Sequence, residues 1–178
     1  MPRICVFCGA RAGENDRFLE LARETARALV RAGFGIVYGG GRVGLMGALA
    51  DAALAEGGEV IGVIPRGLAT AEVAHDRLSG LHVVESMHER KALMADLSDG
   101  FAALPGGFGT MDEFHEILTW RQLRIHDKPI ALLNADGYYD ALLALYDRME
   151  RDGFLRAQTR ALFTVAPTIA DLLHTLAP

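Results

Sequence analysis

Short apolar runs alternate with amphipathic stretches along the whole chain. The apolar runs predict seven strands, the last of them the weakest, at residues 3–8, 34–38, 60–64, 81–84, 100–104, 129–134 and 162–165. Apolar residues at helical spacing predict helices over 15–32, 44–56, 86–98, 111–125, 137–152 and 167–176. Such alternation indicates an α/β fold, a parallel sheet with helices on both faces. Ligands of such folds bind at the carboxyl ends of strands.

The first of two glycine-rich turns follows the second predicted strand. Residues 39–44 fit the pattern G-x-G-x-x-G that binds dinucleotides. The next strand ends in Pro65-Arg66-Gly67, without an acidic residue for a ribose hydroxyl, which argues against an NAD oxidoreductase. No Gly-Lys-Ser/Thr follows, so a Walker A loop is excluded. A tight strand–helix crossing remains an alternative, but we favour a phosphate or nucleotide contact through Gly40, Gly41 and Gly44.

The second glycine-rich turn lies within residues 104–113, Leu-Pro-Gly-Gly-Phe-Gly-Thr-Met-Asp-Glu, after the fifth predicted strand. Its glycines, Gly106, Gly107 and Gly109, allow backbone to approach a ligand closely. We expect a helix to open at Thr110, and the free amides of a helix N-terminus favour an anion such as phosphate. A phosphate cradle beside the carboxylate of Glu113 suggests chemistry on a phosphorylated sugar or nucleotide.

Two charged residues stand on apolar helical faces. Glu113 could simply close a capping box with Thr110, but it shares a helix line with Ile117 and Trp120 and is expected to point inward. Arg90 falls within the stripe of Met87, Leu93, Met94 and Leu97 on the helix that Ser86 and Glu89 would cap. An inward charge needs a partner, so we predict that Arg90 meets Glu113, as a structural ion pair or in a cleft.

Composition excludes several function classes. The net charge of −5 over 178 residues argues against general nucleic-acid binding, and no segment resembles a signal peptide or a membrane span, so a cytoplasmic protein is expected. A hydrophobic fraction of 51% suggests apolar surface buried between subunits. Cys5 and Cys8 form a C-x-x-C inside a predicted strand, where they would point to opposite faces. The six histidines show no metal-ligand spacing, so no metal or cofactor is expected.

Six segments together resemble the LONELY GUY family of cytokinin riboside 5'-monophosphate phosphoribohydrolases, and the resemblance runs nearly end to end. The most specific are Met87-His88-Glu89-Arg90-Lys91 and the turn from Leu104 to Glu113. The others are Ile4 to Gly9, Tyr38 to Gly47, Thr119 to Leu123 and His126 to Asn134. One departure lies in the first loop, Cys8-Gly9-Ala10-Arg11, where the family often has serines.

The resemblance implies one Rossmann-like domain over residues 1–178, usually a homodimer, that cleaves the N-glycosidic bond of an adenosine monophosphate. The products would be ribose 5-phosphate and adenine or an N6-prenylated adenine. Arg90 and Glu113 would be catalytic, and the substrate-binding candidates are Glu72, Lys91, Gly106, Gly107, Phe108, Gly109, Thr110, Met111, Asp112 and Thr119, with Gly40, Gly41 and Gly44 from the first turn. Members are sometimes labelled lysine decarboxylases, but no pyridoxal phosphate motif surrounds Lys91 or Lys128. A carrier of nucleotides or of a molybdopterin-type cofactor is the alternative, and it would not need the Arg90–Glu113 pair.

Overall fold

Seven parallel strands form the centre of the computed structural model, in which residues 1–69 and 74–177 are described. The strands are β1 (Arg3–Phe7), β2 (Gly35–Tyr38), β3 (Val60–Pro65), β4 (Gly80–Val84), β5 (Gly100–Ala103), β6 (Ile130–Leu133) and β7 (Thr164–Ala166). Their order across the sheet is β4-β3-β2-β1-β5-β6-β7, and every neighbouring pair is parallel. The predicted Rossmann-like, doubly wound sheet is therefore confirmed.

Helices cover both faces of this sheet. They are α1 (Asp16–Arg31), α2 (Gly44–Ala55), α3 (Met87–Asp96), α4 (Phe108–Gln122), α5 (Asp140–Arg151), α6 (Ala157–Arg160) and α7 (Ile169–Leu176). Side chains of α1, α2 and α7 share one apolar core with Ile4 and Val6 of β1, whereas α3, α4 and α5 share the other with Cys5 and Phe7. Cys8 belongs to the first core, so the two cysteines do point to opposite faces. None of the described helices is long and apolar enough to cross a membrane.

Helix α4 begins three residues before the predicted helix over 111–125. Its N-cap is Gly107, which carries no capping side chain, and Phe108 is the first helical residue. Thr110 therefore lies within the first turn of α4, and the alternative explanation of Glu113, a capping box with Thr110, is excluded. Glycine is itself an acceptable N-cap, because its extended backbone is unhindered there.

The other helix ends follow the sequence more closely. Ser86 caps α3 by accepting a hydrogen bond from the Glu89 amide at 3.1 Å, as predicted, whereas the Glu89 carboxylate binds the amide of Glu85 instead of that of Ser86. The single-turn helix α6 was not predicted. The predicted helix over 137–152 begins at Asp140, after a short 3-10 turn at Ala135–Gly137.

The strand order places a cleft beside β1. The chain passes from β1 outward to β2, β3 and β4, and then returns to place β5 on the other side of β1. The loops that leave β1 and β5 therefore run in opposite directions, and the gap between them is the switch point where open α/β sheets bind ligands.

Candidate active site

A cavity of about 840 Å³ opens at the carboxyl ends of β1 and β5. That volume falls within the range typical of small-molecule sites. Four regions form its wall: the loop after β1, the first residues of α2, the turn into α4, and single side chains from α1, α3 and the segment before α5. The lining residues are Cys8, Gly9, Ala10, Arg11, Ala12, Gly13, Glu14, Asn15, Phe18, Leu45, Met46, Arg90, Pro105, Gly106, Gly107, Phe108, Gly109, Thr110, Glu113 and Tyr138.

The N-terminus of α4 presents free backbone amides to this cavity. The first hydrogen bond into the helix runs from the Met111 amide to the Gly107 carbonyl at 3.1 Å. The amides before Met111 have no partner within the helix, and they lie at its positive end. Such a helix start is a ready site for an anion.

The two glycines at this helix start leave open space beside the backbone. A Cβ added at Gly107 or Gly109 would find no atom within 4 Å, and neither residue has a positive φ. Neither glycine is therefore required by the packing or by the backbone conformation of the protein itself. Glycine at these positions keeps the amides accessible to a ligand.

Glu113 projects from the next turn of α4 and is one of the few buried charged groups of the described chain. It is 9% exposed, and its Oε1 lies 3.5 Å from Nη1 of Arg90. Burial raises the pKa of Glu113 to about 7, although the positive charge of Arg90 opposes that shift. At neutral pH this carboxylate can therefore both hold and release a proton.

Arg90 reaches the same cavity from α3, and backbone carbonyls fix its guanidinium. Nε donates to the Val63 carbonyl at 3.0 Å, and Nη2 donates to the Gly39 carbonyl at 3.1 Å. The third corner, Nη1, faces Glu113. The structure thus brings together Arg90 and Glu113, at the wall of a cavity, as an ion pair held from α3 and α4.

The candidate substrate-binding residues divide into two groups. Gly106, Gly107, Phe108, Gly109 and Thr110 line the cavity, and Phe108 is 96% exposed at its edge. Lys91, Met111, Asp112, Thr119, Gly40, Gly41 and Gly44 lie outside its lining. Glu72 lies outside the described residues. For all of these residues, contact with a substrate stays a prediction.

Lys91 is occupied by partners within the protein. Its Nζ lies 3.0 Å from the carboxylate of Asp112 and 3.1 Å from that of Glu116. Lys91 therefore links α3 to α4 next to the Arg90–Glu113 pair. The hydroxyl of Thr119 donates to the His115 carbonyl, within its own helix.

The glycines of the first turn make room for the protein itself. A Cβ at Gly44, where φ is +62°, would overlap the Ala10 carbonyl, and a Cβ at Gly47 would overlap the Arg42 carbonyl. At Gly41 it would meet the Met46 side chain at 2.9 Å. These contacts favour the tight strand–helix crossing over a phosphate contact at these positions.

The loop after β1 lines the cavity, although the sequence analysis noted it only as a departure from the family and named none of its residues as candidates. It contributes Gly9 to Asn15, including the charged Arg11 and Glu14, and Tyr138 adds a wall whose hydroxyl donates to the Gly106 carbonyl at 2.8 Å. The strand order would have indicated this loop, since it leaves β1 at the switch point. Within residues 1–69 and 74–177, no group of three or more His, Cys, Asp or Glu side chains is placed to hold a metal ion.

Fold and cavity together define a Rossmann-like α/β protein with a cavity at the switch point of its sheet. A family model described as "Possible lysine decarboxylase" matches residues 46–176. A probable cytokinin riboside 5'-monophosphate phosphoribohydrolase of Oryza sativa subsp. japonica is 51% identical over 97% of this chain and 77% of its own length. The cytokinin riboside 5'-monophosphate phosphoribohydrolase of Rhodococcoides fascians is 50% identical over 93% and 84%. The chain belongs to the LONELY GUY family of phosphoribohydrolases.

Solved structures share the fold at lower identity. The molybdenum cofactor carrier protein of Chlamydomonas reinhardtii superposes with a TM-score of 0.73 at 22% identity, covering 97% of this chain and 94% of the other. The molybdenum cofactor binding protein of Rippkaea orientalis gives 0.73 at 20% identity, with 98% and 94% covered. At these identities the likeness is one of fold alone.

Proposed function

We propose that this protein hydrolyses the N-glycosidic bond of adenosine 5'-monophosphate or its N6-prenylated form, releasing the free base and ribose 5-phosphate. One observation carries the proposal: a free helix N-terminus and a buried, ionisable carboxylate lie on the same helix and face the same cavity. Gly109 and Glu113 are four residues apart, about 6 Å along the axis. The ribose of a nucleotide spans such a gap, so a phosphate on the amides places C1' near Glu113.

Glu113 supplies the chemistry in this proposal. Cleavage of the C1'–N9 bond builds positive charge on the ribose, which an ionised carboxylate stabilises. The same carboxylate can take a proton from the water that attacks C1', and the departing base takes up one proton at N9, so that the water supplies the OH of ribose 5-phosphate and, in balance, the H of the base. A pKa near 7 suits proton transfer at neutral pH, since it lies close to the working pH.

Arg90 keeps Glu113 in place and partly ionised. A guanidinium does not give up its proton, so Arg90 is no general acid. Its positive charge 3.5 Å from the carboxylate opposes the rise in the pKa of Glu113 that burial produces. The phosphate held at the start of α4 supplies binding energy remote from the reacting bond, which positions the ribose.

A decarboxylase that uses pyridoxal phosphate is disfavoured by the placement of the two lysines. Such an enzyme needs a lysine at the cofactor to form a Schiff base. Lys91 is paired with Asp112 and Glu116, and the Nζ of Lys128 donates to the Ala95 carbonyl at 2.8 Å. Neither lysine lines the cavity.

The proposed active form is a cytoplasmic homodimer, as family membership suggests. Large apolar side chains stand exposed on the described surface, among them Leu123 and Ile125 beyond the C-terminal end of α4 and Phe154 after α5. Light scattering on the purified protein tests this, and a monomer at micromolar concentration would contradict it.

Incubation of the pure protein with AMP, N6-isopentenyl-AMP and adenosine tests the function. We expect free base and ribose 5-phosphate in equal amounts from the nucleotides, and far less base from adenosine, which lacks the phosphate that α4 would hold. Binding of AMP without release of base would contradict hydrolysis and favour a carrier. Equal kcat/KM for AMP and adenosine would contradict the phosphate site.

A further inference from the structure

Gly39 is the one glycine of the first turn whose missing side chain leaves room for a catalytic group. A Cβ at this position would overlap Nη2 of Arg90 and would lie 3.1 Å from its Cζ. The Gly39 carbonyl also accepts the hydrogen bond from that same Nη2. Gly39 therefore does two things for the guanidinium of Arg90: its carbonyl accepts a hydrogen bond from Nη2, and its lack of a side chain leaves the space in which Nη2 lies.

Backbone conformation does not explain this glycine. Gly40, its neighbour, has a φ of +75°, which accounts for glycine there, whereas Gly39 has no positive φ. Outside Arg90, the nearest atom to a Cβ at position 39 is the Sδ of Met46, at 3.1 Å. Met46 is flexible and can move away, but the guanidinium of Arg90 is bound on two sides to Val63 and Gly39.

We infer that Gly39 is a positioning residue: its lack of a side chain sets where the Arg90 guanidinium lies, and so the distance between Arg90 and Glu113. This inference rests on the proposed function for its effect on the reaction. An alanine at position 39 would fit the backbone, but its Cβ would displace the guanidinium from the position in which it meets both the Gly39 carbonyl and the carboxylate of Glu113.

Two effects on the reaction follow from that displacement. A misplacement of about 1 Å at a reacting site can lower the rate roughly 100-fold, so we expect Gly39→Ala to lower kcat by roughly 100-fold. We also expect the displaced charge of Arg90 to oppose the effect of burial on Glu113 less strongly, so the pKa of Glu113 would rise. On the acidic side of the profile, the pH at which kcat is half-maximal should then move upward. A mere loss of folded protein would lower the amount of activity without moving this pH.

Four proteins test the inference: wild type, Gly39→Ala, Arg90→Ala and the double variant, with Gly80→Ala as the control. A Cβ at Gly80 meets nothing nearer than 4.0 Å, so this control should behave as wild type. We expect Gly39→Ala to change kcat by less than about twofold when Arg90 is already alanine, since the clash has then been removed. An equal loss of kcat in both backgrounds, or an unchanged kcat and pH profile in Gly39→Ala, would overturn the inference.

Melting temperatures of the same proteins provide a readout that needs no substrate. Gly39→Ala should lower the melting temperature in the presence of Arg90 and should lower it much less in the Arg90→Ala background. If Gly39→Ala does not fold but the double variant does, the inference is supported; if neither folds while Arg90→Ala does, Gly39 serves another purpose and the inference fails. A wild type that releases no base contradicts the proposed function alone, because the melting temperatures still decide the role of Gly39.

Discussion

The two glycine-rich turns of this protein look alike in sequence and differ in what surrounds them. In residues 39–47, side chains at Gly39, Gly41, Gly44 or Gly47 would collide with other parts of the protein. At Gly107 and Gly109, a side chain would enter open space at the wall of a cavity. Gly106 of the second turn is packed like the first turn, since a Cβ there would overlap the Thr110 side chain. The first turn thus packs against other parts of the protein, whereas Gly107 and Gly109 of the second keep the backbone amides at the start of α4 open. The neighbours of the absent Cβ, and not the glycine motif, indicate which turn meets a ligand.

The difference extends to the charged pair between the turns. The first turn holds Arg90 through the Gly39 carbonyl, and the second begins the helix that carries Glu113. The tightly packed turn at residues 39–47 therefore fixes Arg90. The open turn at residues 106–109 is proposed to bind the substrate beside Glu113. Each of the following predictions perturbs one side of this arrangement.

The largest effect is expected at Glu113. Glu113→Gln keeps the size of the side chain and removes its charge, so kcat should fall by about 10²–10⁴-fold, the usual contribution of an acid–base group. Calorimetric titration should show that AMP still binds, because the amides of α4 are unchanged. A rate within about threefold of wild type would contradict a catalytic role for Glu113.

Arg90 comes next, and lysine should not replace it. Three corners of the guanidinium face three different groups, the Val63 carbonyl, the Gly39 carbonyl and Glu113. A single ammonium cannot meet all three, so Arg90→Lys and Arg90→Ala should both lower kcat by roughly 100-fold. Kinetics and melting temperature should be compared. A fully active Arg90→Lys enzyme would reduce Arg90 to a counter-charge, and a joint loss of folding would make it a structural ion pair.

A pair of alanine substitutions tests the comparison of the turns directly. Gly109 lies at the start of α4 with open space around it, so Gly109→Ala should leave the free energy of unfolding unchanged or raise it by about 0.5–1 kcal/mol. Because its methyl group would stand beside the amides proposed to bind the phosphate, KM for AMP should rise roughly tenfold. Gly47→Ala must displace the Arg42 carbonyl and should cost about 2 kcal/mol, a loss of roughly 4–8 °C in melting temperature.

The two effects should separate cleanly between the variants. A Gly47→Ala protein of normal stability with a raised KM, or a Gly109→Ala protein with an unchanged KM, would reverse the assignment of the two turns.

The last prediction concerns the dependence of stability on pH and needs no turnover. The pKa of Glu113 is about 7 in the folded protein, against an ordinary value of 4.5. The folded state therefore holds a proton that the unfolded state has lost between these values, so this group destabilises the fold as pH rises from about 4.5 to 7. Urea unfolding across that range should show a smaller decline for Glu113→Gln than for wild type. Identical curves for the two proteins would contradict the raised pKa.

Most of the fold could be predicted because buried parallel strands are continuous apolar runs. All seven strands were found to within about two residues, including the short β7. The four-residue helix α6 could not be found, since one turn has no periodicity to detect. The sequence predicts too late a start for α4, because Thr110 and Glu113 have the spacing of a capping box. The helix instead begins at Phe108, after the N-cap Gly107, which has no capping side chain.

The site was predictable where charge contradicted its surroundings. Arg90 and Glu113 stood out as charged residues on apolar helical faces, and the structure pairs them. The loop after β1 gives no comparable signal, because its cavity-lining residues follow no helical or strand period and none of its charged residues falls on an apolar face. The role of Gly39 was likewise hidden, since it depends on a side chain 51 residues further along the chain.

The central claim is that the start of α4, and not the turn at residues 39–47, receives the phosphate of a nucleotide. Backbone amide spectra of ¹⁵N-labelled Glu113→Gln protein test it most directly, because this variant should bind AMP without consuming it. AMP should shift the amides of Phe108, Gly109 and Thr110 far more than adenosine does, with smaller changes at Gly41 and Gly47. Equal shifts from AMP and adenosine, or the largest phosphate-dependent shifts within residues 39–47, would contradict the account.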